Sequence, residues 1–204
     1  MRHQFLAEQA DMLKEVGNIG AGHAVTALSQ LLNRPIKMTV PSAKMIPFAH
    51  ISDSVGGDEN VIVAVYLRVY GDVSCNLFLI MSSFAADALL QEVLGQRSTG
   101  EPFNEMERSA IMEIGNILAG SYLSSLTDFT SLNMSPSVPS LTMDMAGAVL
   151  SYGLIQAGAM GDYAVMIDTA FDEGEKNEVQ AHFFLIPDPE SLDKIFHTMG
   201  VPTT

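Results

Sequence analysis

Residues 13–28, LKEVGNIGAGHAVTAL, and residues 111–126, IMEIGNILAGSYLSSL, align without a gap at a shift of 98. Glu15 falls on Glu113, Gly17 on Gly115, Asn18 on Asn116, Ile19 on Ile117, Ala21 on Ala119 and Gly22 on Gly120. The same shift later carries Pro41 onto Pro139, and residues 77–95 echo residues 183–200 at a shift near 106. The 204-residue chain therefore reads as two related halves, about 1–98 and 99–204. A unit of that size and pattern cannot cover its own apolar face, so the halves are expected to pack on each other as one pseudo-symmetric domain spanning 1–204.

Both halves share one pattern. Leu6, Leu13, Val16, Ile19, Val25, Leu28 and Leu32 recur at helical spacing and predict a long opening helix, ended by Asn33 and Pro35. Gly17, Gly20 and Gly22 each cost such a helix about 1 kcal/mol relative to Ala, which points to close approach of another backbone. Residues 60–70 and 73–81 predict two strands, with Gly71-Asp72 as a two-residue hairpin turn, followed by a short helix over 84–94. Residues 163–171 and 179–186 predict the second hairpin, joined by an acidic loop, and a closing helix over 190–199 begins near Asp188 and Pro189. The fold class expected is α/β, with antiparallel hairpins packed against long helices. After Pro139 the chain runs through small apolar residues that read as a helix, whereas the stretch after Pro41 is broken by Pro47 and two glycines. The second half is thus expected to carry one extra apolar helix, serving as core or as a docking face.

Composition excludes several function classes. Twenty-four acidic against 10 basic side chains leave a net charge of -14, a field that repels nucleic acid and anionic lipid, so the partners expected are proteins or small molecules. Cys75 stands alone and can form neither an intramolecular disulfide nor a zinc knuckle, which fits a reducing interior. Glu8 and Asp11 precede any apolar run, against a signal peptide, and the apolar segments 16–33 and 145–161 read as core elements, not membrane spans. A cytoplasmic protein is expected. His3, His23, His50, His182 and His197 show no metal-ligand spacing, and no cofactor of the chain's own is expected.

Chemistry-bearing residues cluster in the repeated segment. Asp11, Glu15 and Asn18 stand at spacings of four and three, as do Ser109, Glu113 and Asn116, so each trio projects from one helix face. Such residues can simply cap or hydrogen-bond near a packed helix end, and a structural role kept in both halves would also explain the repeat. Their recurrence inside otherwise apolar segments instead suggests side chains presented to a partner.

The full pattern, Asp or Ser, three residues, Glu, two residues, Asn, 22 residues, Pro, occurs twice. It resembles the CheC family of chemotaxis phosphatases, within the wider CheC/CheX/FliY class, over essentially the whole chain. The resemblance implies dephosphorylation of the response regulator CheY, whose phosphoryl group sits on an aspartate beside a magnesium ion held by the regulator. It assigns Glu15 and Glu113 to contact with a lysine of the regulator, where a charge-assisted hydrogen bond is short and directional. Asn18 and Asn116 would hold the attacking water, since a carboxamide both donates and accepts. Pro41 and Pro139 would frame the sites, and Asp11 and Ser109 would supply supporting contacts. Family members also bind the deamidase CheD. The matching region here follows Pro139 and places Asp144 at the contact, although Asp144 can equally be the N-terminal charge of a helix. A non-catalytic adaptor for CheY-P or CheD and a flagellar-switch component are the rival readings.

Overall fold

The strand-forming segments read as nearly unbroken apolar runs because the sheet they build is covered by helices on both faces. The structure is a computed structural model that describes residues 7–40, 42–95, 102–157, 163–172, 178–188 and 190–200. The chain order is α1 (Ala7–Leu32), β1 (Met38–Thr39), β2 (Ala43–Pro47), a 3₁₀ turn (Phe48–His50), α2 (Ile51–Ser54), β3 (Val61–Gly71), β4 (Cys75–Ser82) and α3 (Ser83–Leu94). It continues with α4 (Glu105–Thr130), β5 (Met134–Pro136), β6 (Ser140–Met145), α5 (Ala146–Ala157), β7 (Tyr163–Asp172), β8 (Glu178–Pro187) and α6 (Ser191–Thr198).

All eight strands join one antiparallel sheet, and its order interleaves the halves. Hairpins β3–β4 and β7–β8 meet at the centre through β4 and β8. There Phe78 stands opposite Phe184, Asn76 opposite Ile186 and Ile80 opposite His182. The 106 shift carries Phe78 onto its own partner Phe184, and carries Asn76 onto His182 and Ile80 onto Ile186, so the two flanking pairs exchange and Phe78–Phe184 marks a local two-fold axis. The outer edge of each hairpin is covered by the other half. Strands β1 and β2 pair with β7, with Ala43 opposite Ile167, while β5 and β6 pair with β3, with Leu141 opposite Val65.

Alternate strand residues feed two cores. Leu67, Leu77, Leu79, Val165 and Phe183 pack beneath α1, α3, α4 and α6. Ile62, Phe78, Ile80, Met166 and Phe184 pack on the other face against Ile51 of α2 and Val149 and Leu150 of α5. Cys75 is fully buried in the first core, and burial pushes its thiol up to about 12.

Helix α1 crosses α4 at a point set by glycine. A Cβ on Gly20 would lie 2.5 Å from Tyr122 Cδ1 and 3.1 Å from its Cα. The Tyr122 ring cannot easily yield, because it packs on Phe183 at a centroid distance of 4.7 Å and its hydroxyl lies 3.1 Å from Thr169 Oγ1. At the positions related by the 98 shift stand Leu118 and Ala24, both fully buried, so the crossing combines Gly with Tyr on one side and Leu with Ala on the other.

Several sequence expectations are corrected. The β3–β4 pairing begins at Val69–Cys75, so the connection is longer than the Gly71-Asp72 dipeptide. Gly71 instead continues β3 to pair with Met134 at φ +132°, and any Cβ there would sit 2.2 Å from Asn133 O. Residues 140–145 are strand β6, not the start of a helix; their alternation of polar and apolar side chains suits the edge pairing with β3, and α5 begins only at Ala146. A short strand and a helix follow in the first half too, as β2 and α2, so the difference between halves is one of helix length. Gly22, unlike Gly20, has nothing within 4 Å of a built Cβ. Pro189 and the acidic-loop residues 173–177 lie outside the described residues. Among the described residues, no helix is long and apolar enough to cross a membrane.

Replacing Gly20 by Ala is expected to destabilise the fold by about 1–3 kcal/mol through overpacking against Tyr122, outweighing the better helix propensity of Ala. Urea unfolding of the two proteins measures this directly.

Candidate functional site

The burial period of α1 decides which side chains face outward. Leu13, Val16, Gly17, Gly20, Ala21, Ala24 and Leu28 are buried at spacings of three and four, and the opposite line of Asp11, Glu15, Asn18 and Gly22 is exposed. In α4, Ile111, Ile114, Gly115, Leu118, Ala119 and Tyr122 are buried. Ser109, Glu113 and Gly120 are exposed opposite them, and Asn116 is half-buried. Both carboxylates and both carboxamides of the repeated motif are therefore reachable from outside. Among the described residues, none of the four side chains has a hydrogen-bond or ion-pair partner.

Each asparagine directly follows the glycine that seats its helix on the sheet. A Cβ at Gly115 would lie 2.6 Å from Val65 Cγ1 on β3. Gly17 sits more loosely, 3.4 Å from Val40 Cγ1 and 3.6 Å from Ile167 Cγ2 on β7. Val65 and Ile167 occupy equivalent places, each opposite the edge strand donated by the other half. At Gly115 the seat is tight enough to fix where the Asn116 side chain emerges, whereas a Cβ at Gly17 would make only ordinary van der Waals contact.

The helix ends are held as well. Asn104 caps α4 in a reciprocal box: its Oδ1 accepts from the Glu107 N–H at 3.0 Å, and Glu107 Oε2 accepts from the Asn104 N–H at 2.8 Å. Arg108, beside Ser109, donates to the Leu141 carbonyl of β6 at 3.4 Å. Both long helices stop at a left-handed residue, Asn33 at φ 51° and Ser131 at φ 56°, again 98 positions apart.

The remaining expected site residues lie off the helices. Pro139 is half-buried in the break between β5 and β6, where Ser137 holds the edge by donating its N–H to the Arg68 carbonyl at 2.7 Å. A proline donates no ladder hydrogen bond, so such a break suits it. Pro41 lies outside the described residues. Asp144 is exposed near the end of β6, opposite Ile62, and its Oδ1 accepts from the Met145 N–H at 2.8 Å just before α5. Beside it Val61 and Met145 form an exposed apolar pair.

Sequence reasoning missed a second polar cluster on the opposite face of the sheet. Asp168 of β7 joins His182 Nδ1 of β8 at 2.9 Å and also accepts from the Ser42 hydroxyl, in a groove of about 280 Å³ that Lys44 also lines. Ser42 and Asp168 stand 126 residues apart in different halves, and only strand pairing unites them. No sequence spacing could have signalled it.

The void under α1 and α4 holds about 20 Å³ and is lined by apolar residues such as Leu13, Val16 and Tyr122. Ligand pockets run to about 300–1,000 Å³, so this void is too small to hold a ligand. Two matched polar strips are thus carried outward by twin helices on an interleaved antiparallel sheet.

The sequence model of the CheC-like family matches this chain twice, at residues 8–45 and 106–143. The CheY-P phosphatase CheC of Bacillus subtilis is 44% identical over 199 residues, covering 95% of this chain and 94% of that protein. The flagellar motor switch phosphatase FliY of the same organism is 32% identical over 132 residues, 64% of this chain and 34% of that protein. The crystal structure of Thermotoga maritima FliY superposes with a TM-score of 0.75 at 19% identity, covering 97% of this chain and 98% of that one. The chain belongs to the CheC-like family.

Substituting Asn104 by Ala removes one half of the capping box, and a loss of about 1 kcal/mol of stability is expected from thermal unfolding.

Proposed function

We propose that this chain is a phosphatase acting in the cytoplasm on the phosphorylated response regulator CheY in chemotaxis. The observation that carries the reading is the pair of outward Glu and Asn strips on α1 and α4, in a chain 44% identical to a CheY-P phosphatase. Glu15 and Glu113 dock on a lysine of the regulator. Asn18 and Asn116 reach the phosphoryl group and hold a water in line with the bond to be broken. The carboxamide oxygen accepts from the water and its NH₂ donates to a phosphoryl oxygen. Water attacks phosphorus, the P–O bond to the regulator's aspartate breaks, and the aspartate leaves as a carboxylate, so that the work is positioning and not covalent chemistry. Charge neutralisation comes from a magnesium ion bound by the regulator. Asp11 and Ser109 support the strips from one turn earlier, while Pro41 and Pro139 frame them.

Turnover separates this reading from a sequestering adaptor: protein at a tenth of the regulator's concentration should clear all of the phosphorylated form. The Asn18→Ala, Asn116→Ala double variant is expected to lose about 100-fold in kcat/KM with its far-UV spectrum unchanged. Full activity in that variant would sink the mechanism.

We further propose that the exposed edge at Asp144, with Val61 and Met145 beside it, binds CheD. Reversal of charge in Asp144→Lys should weaken CheD capture at least tenfold while leaving CheY-P turnover intact; unchanged capture argues for the local role of this carboxylate before α5.

A further inference from the structure

Gly22 and Gly120 stand at matched places, each four residues after its motif asparagine, each exposed, and related by the 98 shift. A Cβ built on either meets nothing within 4 Å, in contrast to Gly20 against Tyr122 and Gly115 against Val65. Neither has the positive φ that would demand glycine. Inside a 26-residue helix, such a residue destabilises relative to Ala without any gain in packing or backbone geometry.

The gain lies outside the molecule. Helical side chains lean toward the N-terminus, so a side chain at position i+4 covers the turn that carries residue i. Any side chain at 22 or 120 would stand over Asn18 or Asn116. We infer that Gly22 and Gly120 are clearance positions, which let the main chain of the phosphorylated regulator settle on α1 or α4 closely enough for the short asparagine carboxamide to reach its phosphoryl group. This inference rests on the proposed function and extends it from the motif residues to the ground beside them. The partner contact is steric, and it is the same in both halves although Leu118 has replaced Gly20 in the buried crossing.

The test compares the full-length parent with Gly22→Ala, Gly120→Ala and Gly22→Gln, Gly120→Gln double variants. Thermal midpoint, kcat and KM on CheY-P are measured, together with Kd for CheY carrying beryllofluoride on its aspartate as a stable phosphoryl mimic. Each substitution should raise the midpoint, by about 2–4 °C for Ala, since open helix surface gains propensity. The Gln pair should raise KM and Kd at least tenfold with a much smaller change in kcat, and the Ala pair should fall between it and the parent. A raised midpoint with KM and Kd within twofold of the parent overturns the inference, because the positions would then be free surface. A lowered midpoint or loss of fold also overturns it, because the positions would then be packed. A parent that binds the mimic but never accelerates phosphate loss defeats the phosphatase reading alone, with the Kd series still deciding the clearance. A parent that does neither defeats both.

Discussion

A hairpin standing alone leaves two edges of unpaired N–H and C=O groups, and in this chain neither hairpin closes its own outer edge. Strands β1 and β2 close β7, and β5 and β6 close β3, so each half completes the sheet of the other. Pulling the halves apart would strip both edges and split the central β4–β8 pairing. The rest of the architecture follows from that exchange: it anchors both ends of each crossing connection and holds α1 and α4 side by side on one face. Pairings such as Ala43 with Ile167 also bring together residues far apart in sequence, which places the fold among those that form slowly.

The exchange positions the outer strips as well. Gly17 and Gly115 rest each long helix on the strand edge where the other half's strand arrives, and the next residue outward is the motif asparagine. Inside, the two halves have diverged, with Gly20 against Tyr122 at one side of the crossing and Leu118 and Ala24 at the equivalent places. Outside, Glu, Asn and the unpacked glycine coincide in both. A core can trade volume between facing positions as long as the sum is kept. The surface strips have no such freedom if they must fit the same partner.

Charge frames how such a surface can work. With a net charge of -14, and with Asp11, Glu15 and Glu113 exposed on them, the two strips themselves carry no cation that would hold a phosphoryl group by attraction. A neutral carboxamide stands beside two carboxylates on the α1 strip and one on the α4 strip, and such a field favours encounter with basic surfaces at low salt.

The sequence alone determined the duplication, the two long helices, both hairpins and the four residues Glu15, Asn18, Glu113 and Asn116 as one outward set, because helical and strand periods are local and repeat identity needs no coordinates. It misjudged residues 140–145, where Ser140, Thr142 and Asp144 alternate with Leu141, Met143 and Met145 in the period of a strand, because the small apolar run from Ala146 onward drew the helix reading back over them. It also assigned one reason to Gly17, Gly20 and Gly22, although Gly20 makes room for an aromatic ring and Gly22 meets nothing at all. What a missing side chain makes space for depends on the neighbour across the gap. The exchanged edge strands, the Asp168–His182–Ser42 cluster and the distinction between seating and clearing glycines were therefore decided only by tertiary structure, which alone brings distant parts of the chain within contact distance.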